Sequence, residues 1–318
     1  MKIAFVGKGG SGKTTLSSLF TRSLDDQKTN VLAIDADINQ HMAQALGADE
    51  ALAGSIPALG LDMIRVKDYL RGINARIKSS KSMIKTTPPG TGSRLLKISQ
   101  PNPLFDHFAR KISNITFMAT GALSEEDLGL KCYHSKLGAT ELILSHLIDQ
   151  PNEYVVVDMT AGADSFAGGM FMKFDVTFLI TEPTLKGVSV YHQYKEYGKE
   201  HNINLKVIGN KVENSDDVAF LRKHAGDDLL ATFSHSQYVR ALEKGEHLAL
   251  AELEPKNQAV LQVIKMEADK VVKDWDVFYR QQVNLHIKTS ESWANHEAGE
   301  DLTLQIDPDF SLSEAAKI

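Results

Sequence analysis

The stretch FVGKGGSGKTTLSSLF, residues 5–20, places four small residues between two lysines directly after a hydrophobic run. Residues 2–6 form a short apolar run of the kind that builds a buried parallel strand. Residues 14–24 then carry apolar side chains at helical spacing, namely Leu16, Leu19, Phe20 and Leu24. The stretch therefore predicts a strand, a glycine-rich turn and a helix in immediate succession.

The turn in this stretch has the pattern of a phosphate-binding loop. Its glycines let backbone N–H groups approach a ligand closely, and the helix start adds unpaired N–H groups and a positive dipole end. In the spacing Gly7-x-x-x-x-Gly12-Lys13-Thr14, the lysine reaches the β- and γ-phosphates and the hydroxyl binds Mg²⁺. The predicted nucleotide contacts in the loop are Gly9, Gly10, Ser11, Gly12, Lys13, Thr14 and Thr15. The sequence thus predicts a site for a nucleoside triphosphate and Mg²⁺.

Bulk properties limit the class of protein. A length of 318 residues and a hydrophobic content of 42% allow one large α/β domain. No apolar stretch approaches about 20 residues and the chain begins directly with a strand, so we expect neither a membrane span nor a signal peptide. The single cysteine, Cys132, excludes an intrachain disulfide and suits a reducing cytoplasm. The net charge of −6 argues against broad, nonspecific nucleic-acid binding.

Charge is distributed unevenly along the chain. Residues 61–111 contain 11 Lys and Arg against three acidic residues, whereas residues 285–318 contain seven acidic residues and two lysines. The basic part includes a stretch rich in Pro, Gly, Ser and Thr at residues 86–93. We interpret residues 61–112 as a basic, partly mobile insertion within a nucleotide-binding domain of residues 1–284, followed by an acidic C-terminal extension.

Strand and helix patterns alternate over most of the chain. Strand patterns occur at residues 31–35, 115–119, 154–158, 176–181 and 205–209. Residues 258–282 have the pattern of a terminal helix, and residues 302–306 carry weak strand signals. This order predicts the α/β class, with a doubly wound, mainly parallel sheet flanked by helices. Active groups of such sheets lie at the carboxyl ends of the strands.

Carboxylates stand at two of these strand ends. Asp35 and Asp37 end the second strand pattern, where carboxylates beside a phosphate loop hold Mg²⁺ and orient the attacking water. Asp158 follows the strand pattern YVVV, as in a Walker B motif, in which the carboxylate reaches Mg²⁺ through water. Gly162 would offer its N–H group to the γ-phosphate. We therefore predict Thr14, Asp35 and Asp158 for Mg²⁺ and Asp37 for the attacking water.

These motifs occur in the order found in a known class of ATPases. KGGSGKTT, residues 8–15, resembles the deviant Walker A motif of the MinD/ParA class, in which Lys8 is the extra signature lysine. The carboxylate motifs at Asp37 and Asp158 resemble the two switch regions of that class. The sequence is therefore similar to a P-loop ATPase.

The resemblance covers residues 1–47 and 113–270, and it implies a homodimer that encloses the nucleotides between its subunits. In such a dimer, Lys8 of one subunit reaches the phosphates held by the other. A second cation supplied in this way couples hydrolysis to dimer closure. Lys8, Lys13 and Asp37 are the residues that the resemblance implies in the conversion of ATP to ADP and phosphate.

The base side of the site rests on two further segments. VIGNK, residues 207–211, is similar to the base-recognition strand end of the class, where the asparagine, here Asn210, contacts adenine. The adjacent Lys211 is predicted as a nucleotide contact, and Val212 stands where GTPases usually carry an aspartate, which favours ATP. Residues 233–245 are similar to the base-enclosing loop and the helix after it, although the usual Ile-Pro is replaced by Phe-Ser.

One segment points to a branch of the class. KCYH, residues 131–134, precedes an amphipathic stretch at residues 137–147 and resembles the CooC-like nickel-insertion ATPases of carbon monoxide dehydrogenase maturation. Those proteins carry a Cys-x-Cys pair here, whereas this chain has Cys132 and His134. Both residue types bind Zn²⁺ and Ni²⁺, and two from each subunit would complete a four-ligand site. The alternative is a half-buried cysteine beside a surface histidine without a metal.

Of four related functions, two are excluded and two remain as alternatives. A cluster shared by four cysteines of a dimer needs two cysteines per subunit, so nitrogenase iron-protein chemistry is excluded. A MinD-type membrane anchor would be a basic amphipathic helix, but the C-terminus is acidic. A ParA-like positioning switch acting on DNA or a scaffold, or a small-molecule phosphotransferase, stays open. Because the basic segment has few aromatic residues for stacking, we expect a solvated insertion rather than a nucleic-acid surface. The partner that we expect is a protein client.

Overall fold

A computed structural model of the protein describes residues 1–122, 133–159, 169–199, 201 and 203–317. Within these ranges the strands are β1 (Lys2–Gly7), β2 (Asn30–Ala36), β3 (Leu96–Lys97), β4 (Arg110–Ile112), β5 (Ile115–Ala119), β6 (Leu147–Ile148), β7 (Glu153–Met159), β8 (Val176–Thr181), β9 (Leu205–Val212) and β10 (Leu229–Ser234). The helices are α1 (Lys13–Asp26), α2 (Met42–Ala45), α3 (Glu50–Gly54), α4 (Met63–Arg71), α5 (Pro103–Phe108), α6 (Tyr133–His146), α7 (Leu185–Gly198), α8 (Ser215–Ala225), α9 (Gln237–Leu242), α10 (Pro255–Asp269), α11 (Trp275–Thr289), α12 (Asn295–Ala298) and α13 (Leu312–Ala315). None of these helices has both the length and the apolar character to cross a membrane.

Eight of these strands form one sheet in the order β10-β9-β8-β1-β7-β2-β5-β4. All neighbours in it are parallel except β4 and β5, which pair antiparallel. The predicted α/β class with a doubly wound, mainly parallel sheet is therefore confirmed. Because β1 lies between β7 and β8, the loop after β1 opens at the crevice where sheets of this kind bind ligands.

The strands are apolar at successive positions because both faces of the sheet are covered. Ile3 and Phe5 belong to one hydrophobic cluster, and Ala4 and Val6 belong to the cluster on the opposite face. The apolar side of α1, including Leu16, packs into the first of these clusters. The strand patterns predicted from the sequence all lie within β2, β5, β7, β8 and β9.

The C-terminal part differs from the sequence prediction. The single helix predicted over residues 258–282 is two helices, α10 and α11, separated by residues 270–274. The carboxylate of Asp274 accepts two backbone N–H groups of the next turn and so begins α11 as its N-cap. The weak strand signals at residues 302–306 are also wrong, because these residues begin a 3₁₀ turn capped by Asp301.

The stretch of residues 86–93 packs against the acidic tail. Thr87 Oγ1 donates a hydrogen bond to Gln305 Oε1 at 3.0 Å, and the Thr91 N–H group donates to Asp307 Oδ2 at 3.0 Å. We expected this stretch to be partly mobile because its composition favours turns. The structure instead supplies partners from a segment more than 200 residues away, which composition cannot reveal.

Opposite charges of the basic segment and the tail meet in two ion pairs. Arg76 lies 3.5 Å from Asp307, and Lys78 lies 2.8 Å from Glu300. The boundary that we predicted between residues 284 and 285 falls inside α11. The first residues of the tail therefore continue that helix, and later ones cover part of the basic segment.

Candidate nucleotide site

The phosphate loop lies between β1 and α1, at the carboxyl edge of the sheet. A Cβ atom at Gly7 would lie 2.6 Å from the carbonyl oxygen of Ile180 and would also clash with Ser11, so only glycine fits there. Gly12 has φ +89° directly before α1, and a Cβ atom there would clash with the side-chain amide of Asn210. These two glycines allow the loop to pack tightly against β8 and β9.

The loop borders a cleft of about 560 Å³, a size that suits a nucleotide-sized ligand. On the loop side the cleft is lined by Gly9, Gly10, Gly12, Lys13, Thr14 and Thr15. On the facing side it is lined by Asp37, Asn39, His41, Asn210, Lys211, Phe233, Ser234, His235, Ser236, Val239, Arg240 and Glu243. The structure thus brings the predicted phosphate and base segments to one cleft.

Lys13 and Asp37 form an ion pair at the floor of this cleft, with 2.6 Å between Nζ and Oδ2. Asp37 Oδ1 accepts hydrogen bonds from the backbone N–H and the side-chain amide of Asn39, at 3.0 and 3.1 Å. Burial raises the pKa of Asp37, but the bonds from Lys13 and Asn39 outweigh it and lower the pKa below its ordinary value. Asp37 is therefore held as a carboxylate directly beside the phosphate loop.

Thr14 and Asp158 meet at the same edge of the sheet. The Thr14 hydroxyl donates to Asp158 Oδ2 at 2.6 Å, while no described residue donates to the buried Oδ1 atom. Burial and the neighbouring carboxylate of Asp35 raise the pKa of Asp158 to about 8. The two residues predicted for Mg²⁺ at this point are thus in contact, and one carboxylate oxygen is available to a cation.

Asp35, also predicted for Mg²⁺, has a different set of partners. Its carboxylate accepts the backbone N–H groups of Asp37 at 3.1 Å and Met42 at 2.9 Å. Burial raises its pKa to about 6, although these two hydrogen bonds oppose the rise. Asp35 therefore supports the turn after β2. Its negative charge raises the pKa of Asp158, which lies opposite it on the neighbouring strand β7.

Asn210 and Lys211 support the phosphate loop from the end of β9. The Asn210 amide donates to the carbonyl of Ser11 at 2.7 Å, and the Lys211 ammonium donates to the carbonyl of Gly10 at 2.8 Å. Lys211 also pairs with Glu182 at 2.5 Å. Both side chains were predicted to contact the nucleotide; they line the cleft and also bind the backbone of the loop that would hold the phosphates.

Sequence reasoning missed two residues of this site. Glu182 directly follows β8, and Gln40 lies in the turn after β2 with a left-handed φ of +51°. The position of Glu182 at a strand end was a usable signal, because β8 neighbours β1 and parallel strands end at a common edge. For Gln40 the sequence contains no usable signal for its contact with Gly121, which lies 81 residues away.

The predicted transition-metal site and one predicted nucleotide contact lie outside the described residues. Cys132 and Gly162 lie outside them, as does the side chain of His134. In the described ranges, no group of three or more His, Cys, Asp or Glu has the arrangement of a metal site. The helix predicted as amphipathic at residues 137–147 is α6, and it is buried on all sides from residue 136 onward because the sheet and other helices surround it.

Comparisons with known proteins agree with this geometry. Residues 3–248 match the family model described as the CobQ/CobB/MinD/ParA nucleotide binding domain. An uncharacterized ATP-binding protein of Methanocaldococcus jannaschii is 32% identical over 219 residues, which are 68% of this chain and 77% of that protein. The carbon monoxide dehydrogenase accessory protein CooC of Rhodospirillum rubrum is 27% identical over 248 residues, 77% of this chain and 87% of that protein. The septum site-determining protein MinD of Pyrococcus horikoshii, solved with Mg-ADP, has the same fold, with a TM-score of 0.52 at 18% identity over 85% of this chain and 97% of that chain.

Proposed function

Because the chain belongs to the CobQ/CobB/MinD/ParA family of nucleotide-binding domains, we propose that it is a slowly ATP-hydrolysing dimeric switch that drives maturation or metal loading of a partner protein. The family match confirms the resemblance to P-loop ATPases of the MinD/ParA class that the motifs predicted. The observation that carries the proposal is the meeting of Lys13, Thr14, Asp37 and Asp158 at one edge of the sheet.

The Lys13–Asp37 pair supports the hydrolytic part of the proposal. An ammonium group at this place in the loop reaches the β- and γ-phosphates of a bound nucleoside triphosphate. When Lys13 turns to the phosphates, Asp37 loses its cationic partner and can accept a hydrogen bond from water. The same step therefore neutralises phosphate charge and releases a carboxylate that orients the nucleophile.

The residues present also fit Mg²⁺. This ion is held in nucleotide sites by few protein oxygens together with phosphate oxygens. Thr14 Oγ1 and the unpartnered, buried Oδ1 atom of Asp158 supply such oxygens among the described residues. When bound, the ion neutralises charge on the β- and γ-phosphate oxygens. The side chains of Thr14 and Asp158 orient one another for that purpose.

Lys8 supports the dimeric part of the proposal. Its side chain is exposed at the start of the phosphate loop, next to the cleft-lining Gly9. In the dimer that the family resemblance implies, this ammonium reaches phosphates held by the other subunit. A cation supplied in trans makes hydrolysis depend on dimer closure, as an arginine finger does in other NTPases.

The client and metal part rests on the likeness to CooC and on Cys132 with His134. Here Ni²⁺ or Zn²⁺ is cargo for a partner protein. Thiolate and imidazole ligands bind such ions only when deprotonated, so affinity should fall as pH drops through the imidazole range. One ion per two chains is the stoichiometry expected of a site shared across a dimer.

Equilibrium dialysis of the full chain with Ni²⁺ or Zn²⁺, with and without Mg²⁺ and a non-hydrolysable ATP analogue, tests this function. We expect one metal ion per two chains in the presence of the analogue, and none in the double variant Cys132→Ser, His134→Ala. His107→Ala, which removes an exposed histidine elsewhere, should bind as the wild type does. Binding that survives the double substitution would exclude the metal site. Absence of binding in the ATP-bound dimer would exclude metal loading and favour a positioning switch.

A further inference from the structure

Gln40 holds an unfavourable backbone conformation beside the candidate nucleotide site. Its φ of +51° lies in the left-handed region, which residues with a Cβ atom rarely adopt. Such conformations persist where the surrounding structure supports them, and they concentrate at functional sites. Asp37, three residues earlier, is the carboxylate paired with Lys13. We therefore expect contacts of the Gln40 side chain to stabilise this conformation.

The side chain of Gln40 joins the turn after β2 to the end of β5. Its amide nitrogen donates a hydrogen bond to the carbonyl oxygen of Asp37 and lies 3.4 Å from the carbonyl oxygen of Asp35. Its amide oxygen accepts the N–H group of Gly121 at 3.3 Å. One side chain therefore bonds both to the turn that carries the Lys13 partner and to the chain that leaves the next strand.

Gly121 lies at the point where the main-chain ladder between β2 and β5 stops. The preceding N–H group, of Thr120, still donates to the carbonyl of Asp35 at 2.8 Å. At Gly121 the chain turns with φ +104°, and a Cβ atom there would lie 2.5 Å from the side chain of Ala58. Gln40 thus supplies an acceptor for the first N–H group beyond the end of the ladder.

The same chain end is connected to α6. The ammonium group of Lys136, in the first turns of α6, donates to the carbonyl oxygen of Ala122 at 2.6 Å. Hydrogen bonds therefore run without a break from Asp37 through Gln40 to Gly121, and from the adjacent Ala122 to Lys136. This route runs from the cleft-lining Asp37 to the first turn of α6.

We propose that Gln40 is a positioning residue that links the state of Asp37 to the end of β5 and the start of α6. The inference rests on the proposed function, because the change at Asp37 begins when Lys13 turns to a bound phosphate. A shift of the Asp37 carbonyl moves the Gln40 amide. The position of that amide then decides whether the Gly121 N–H group has a hydrogen-bond acceptor. The Lys13–Asp37 pair is the element with two arrangements, paired and separated. A bound phosphate and the contacts at the end of β5 would each favour one of them.

Three variants separate the side chain from the backbone. Gln40→Gly removes the link, while glycine keeps the left-handed conformation at no steric cost. Gln40→Glu keeps the size and the acceptor for Gly121 but cannot donate to the Asp37 carbonyl. Asn152→Gly is the matched control, because Asn152 has a φ of +63° in a turn at the opposite edge of the sheet, directly before β7.

Amide hydrogen exchange of the full chain, with and without Mg²⁺ and a non-hydrolysable ATP analogue, provides the readout. In the wild type we expect the analogue to change exchange about threefold or more both in residues 8–15 and in peptides covering Gly121 and residues 136–140. In Gln40→Gly and Gln40→Glu the response of residues 8–15 should stay, and the response at Gly121 and α6 should be lost. We also expect kcat for ATP to fall about tenfold in Gln40→Gly, with little change in KM, because Asp37 is mispositioned.

The link would be overturned if Gln40→Gly showed the same exchange response at Gly121 and α6 as the wild type. It would also be overturned if the wild type showed no response at Gly121 and α6 while residues 8–15 did respond. A full response in Gln40→Glu would overturn the role of the bond to Asp37. Asn152→Gly should respond as the wild type does, and loss of the response there would assign the effect to stability alone. Failure of residues 8–15 to respond in the wild type would overturn the proposed function and this inference with it. Failure of metal binding would leave the exchange result standing.

Discussion

Lys13 Nζ lies 2.6 Å from Asp37 Oδ2, and both side chains are buried at the floor of the cleft. The pair joins the phosphate loop to the turn after β2, so the cation and the carboxylate neutralise one another there. On the proposed function, a phosphate that attracts Lys13 would take from Asp37 its cationic partner. Binding of the nucleotide and release of the carboxylate would then be one event.

Removal of the ammonium group should abolish hydrolysis. In Lys13→Ala the charge on the β- and γ-phosphates is left uncompensated, and we expect kcat for MgATP to fall about 100-fold or more. A phosphate-release assay measures this. Lys256→Ala, which removes an exposed lysine of α10, should leave kcat unchanged. Wild-type turnover in Lys13→Ala would remove the assignment of the phosphate loop.

Asp37 and Lys8 should act at different steps of the dimer cycle. Asp37→Ala should keep ATP bound without hydrolysing it and so trap a closed dimer, because the group that orients the water is missing. Lys8→Ala should bind ATP but stay monomeric, because the cation that reaches the other subunit is missing. Light scattering with MgATP measures both masses. One mass for all variants and nucleotide states would contradict the switch.

Asn210 should distinguish ATP from GTP. We expect ATP to bind about tenfold more tightly than GTP, and Asn210→Ala to bring this ratio toward one. Because the Asn210 amide bonds the Ser11 carbonyl at 2.7 Å, the variant should also weaken both nucleotides. A competition titration against a fluorescent nucleotide measures the two affinities.

Glu182→Gln provides the control for this titration. It weakens the Lys211 contact with the loop without touching the base, so both affinities should fall and their ratio should stay. Tighter binding of GTP than ATP by the wild type would overturn the assignment of Asn210.

A buried carboxyl far from the cleft should make stability depend on pH. Glu141, in α6, is fully buried, and its Oε1 atom lies 3.5 Å from the Lys85 ammonium. Burial raises the pKa of Glu141 to about 7, although Lys85 and the buried Lys173 both oppose the rise. Burial lowers the pKa of Lys173 to about 8 and that of the adjacent His146 to about 4. Glu141 is thus a group of this cluster whose charge changes near neutral pH.

The sign of the effect follows from the raised pKa. The folded protein holds this proton more tightly than the unfolded chain, so the stabilisation is complete below the ordinary carboxyl pKa and is lost as pH rises through about 7. In the wild type, the free energy of unfolding should decline by on the order of 3 kcal/mol as pH rises through this range, and Glu141→Gln should remove that decline. Urea denaturation at pH 5 to 7 measures it, and the exposed Glu291→Gln serves as the control. Equal slopes in Glu141→Gln and the wild type would contradict the assignment.

Several features could be predicted from the sequence because each depends on neighbouring residues. The order of apolar run, glycines, Lys13, Thr14 and helix is local, and it predicts a strand, a loop and a helix whatever surrounds them. The carboxylates at Asp37 and Asp158 could be placed beside the loop because parallel strands end at a common edge. These rules need no knowledge of which side chains touch.

Other features needed the tertiary structure because they join segments far apart in the chain. The tail bonds to the basic segment across more than 200 residues, and its partners turn a flexible composition into a packed stretch. The roles of Lys211 and Glu182 depend on β8 lying between β1 and β9, since that order brings Lys211 to the Gly10 carbonyl and Glu182 to Lys211. Likewise, α6 is buried on all sides from residue 136 onward because several elements enclose it, and the helical periodicity of its sequence does not indicate this.

The sequence by itself determined the class of the fold and the place of the nucleotide site, since both follow from short-range patterns and from chain order. The tertiary structure alone decided which polar atoms pair at that site. Lys13 meets Asp37, Asn210 meets the Ser11 carbonyl, and Gln40 meets Gly121 across 81 residues. The physical reason is that a hydrogen bond requires donor and acceptor within about 3.5 Å, a condition set by packing and not by position along the chain.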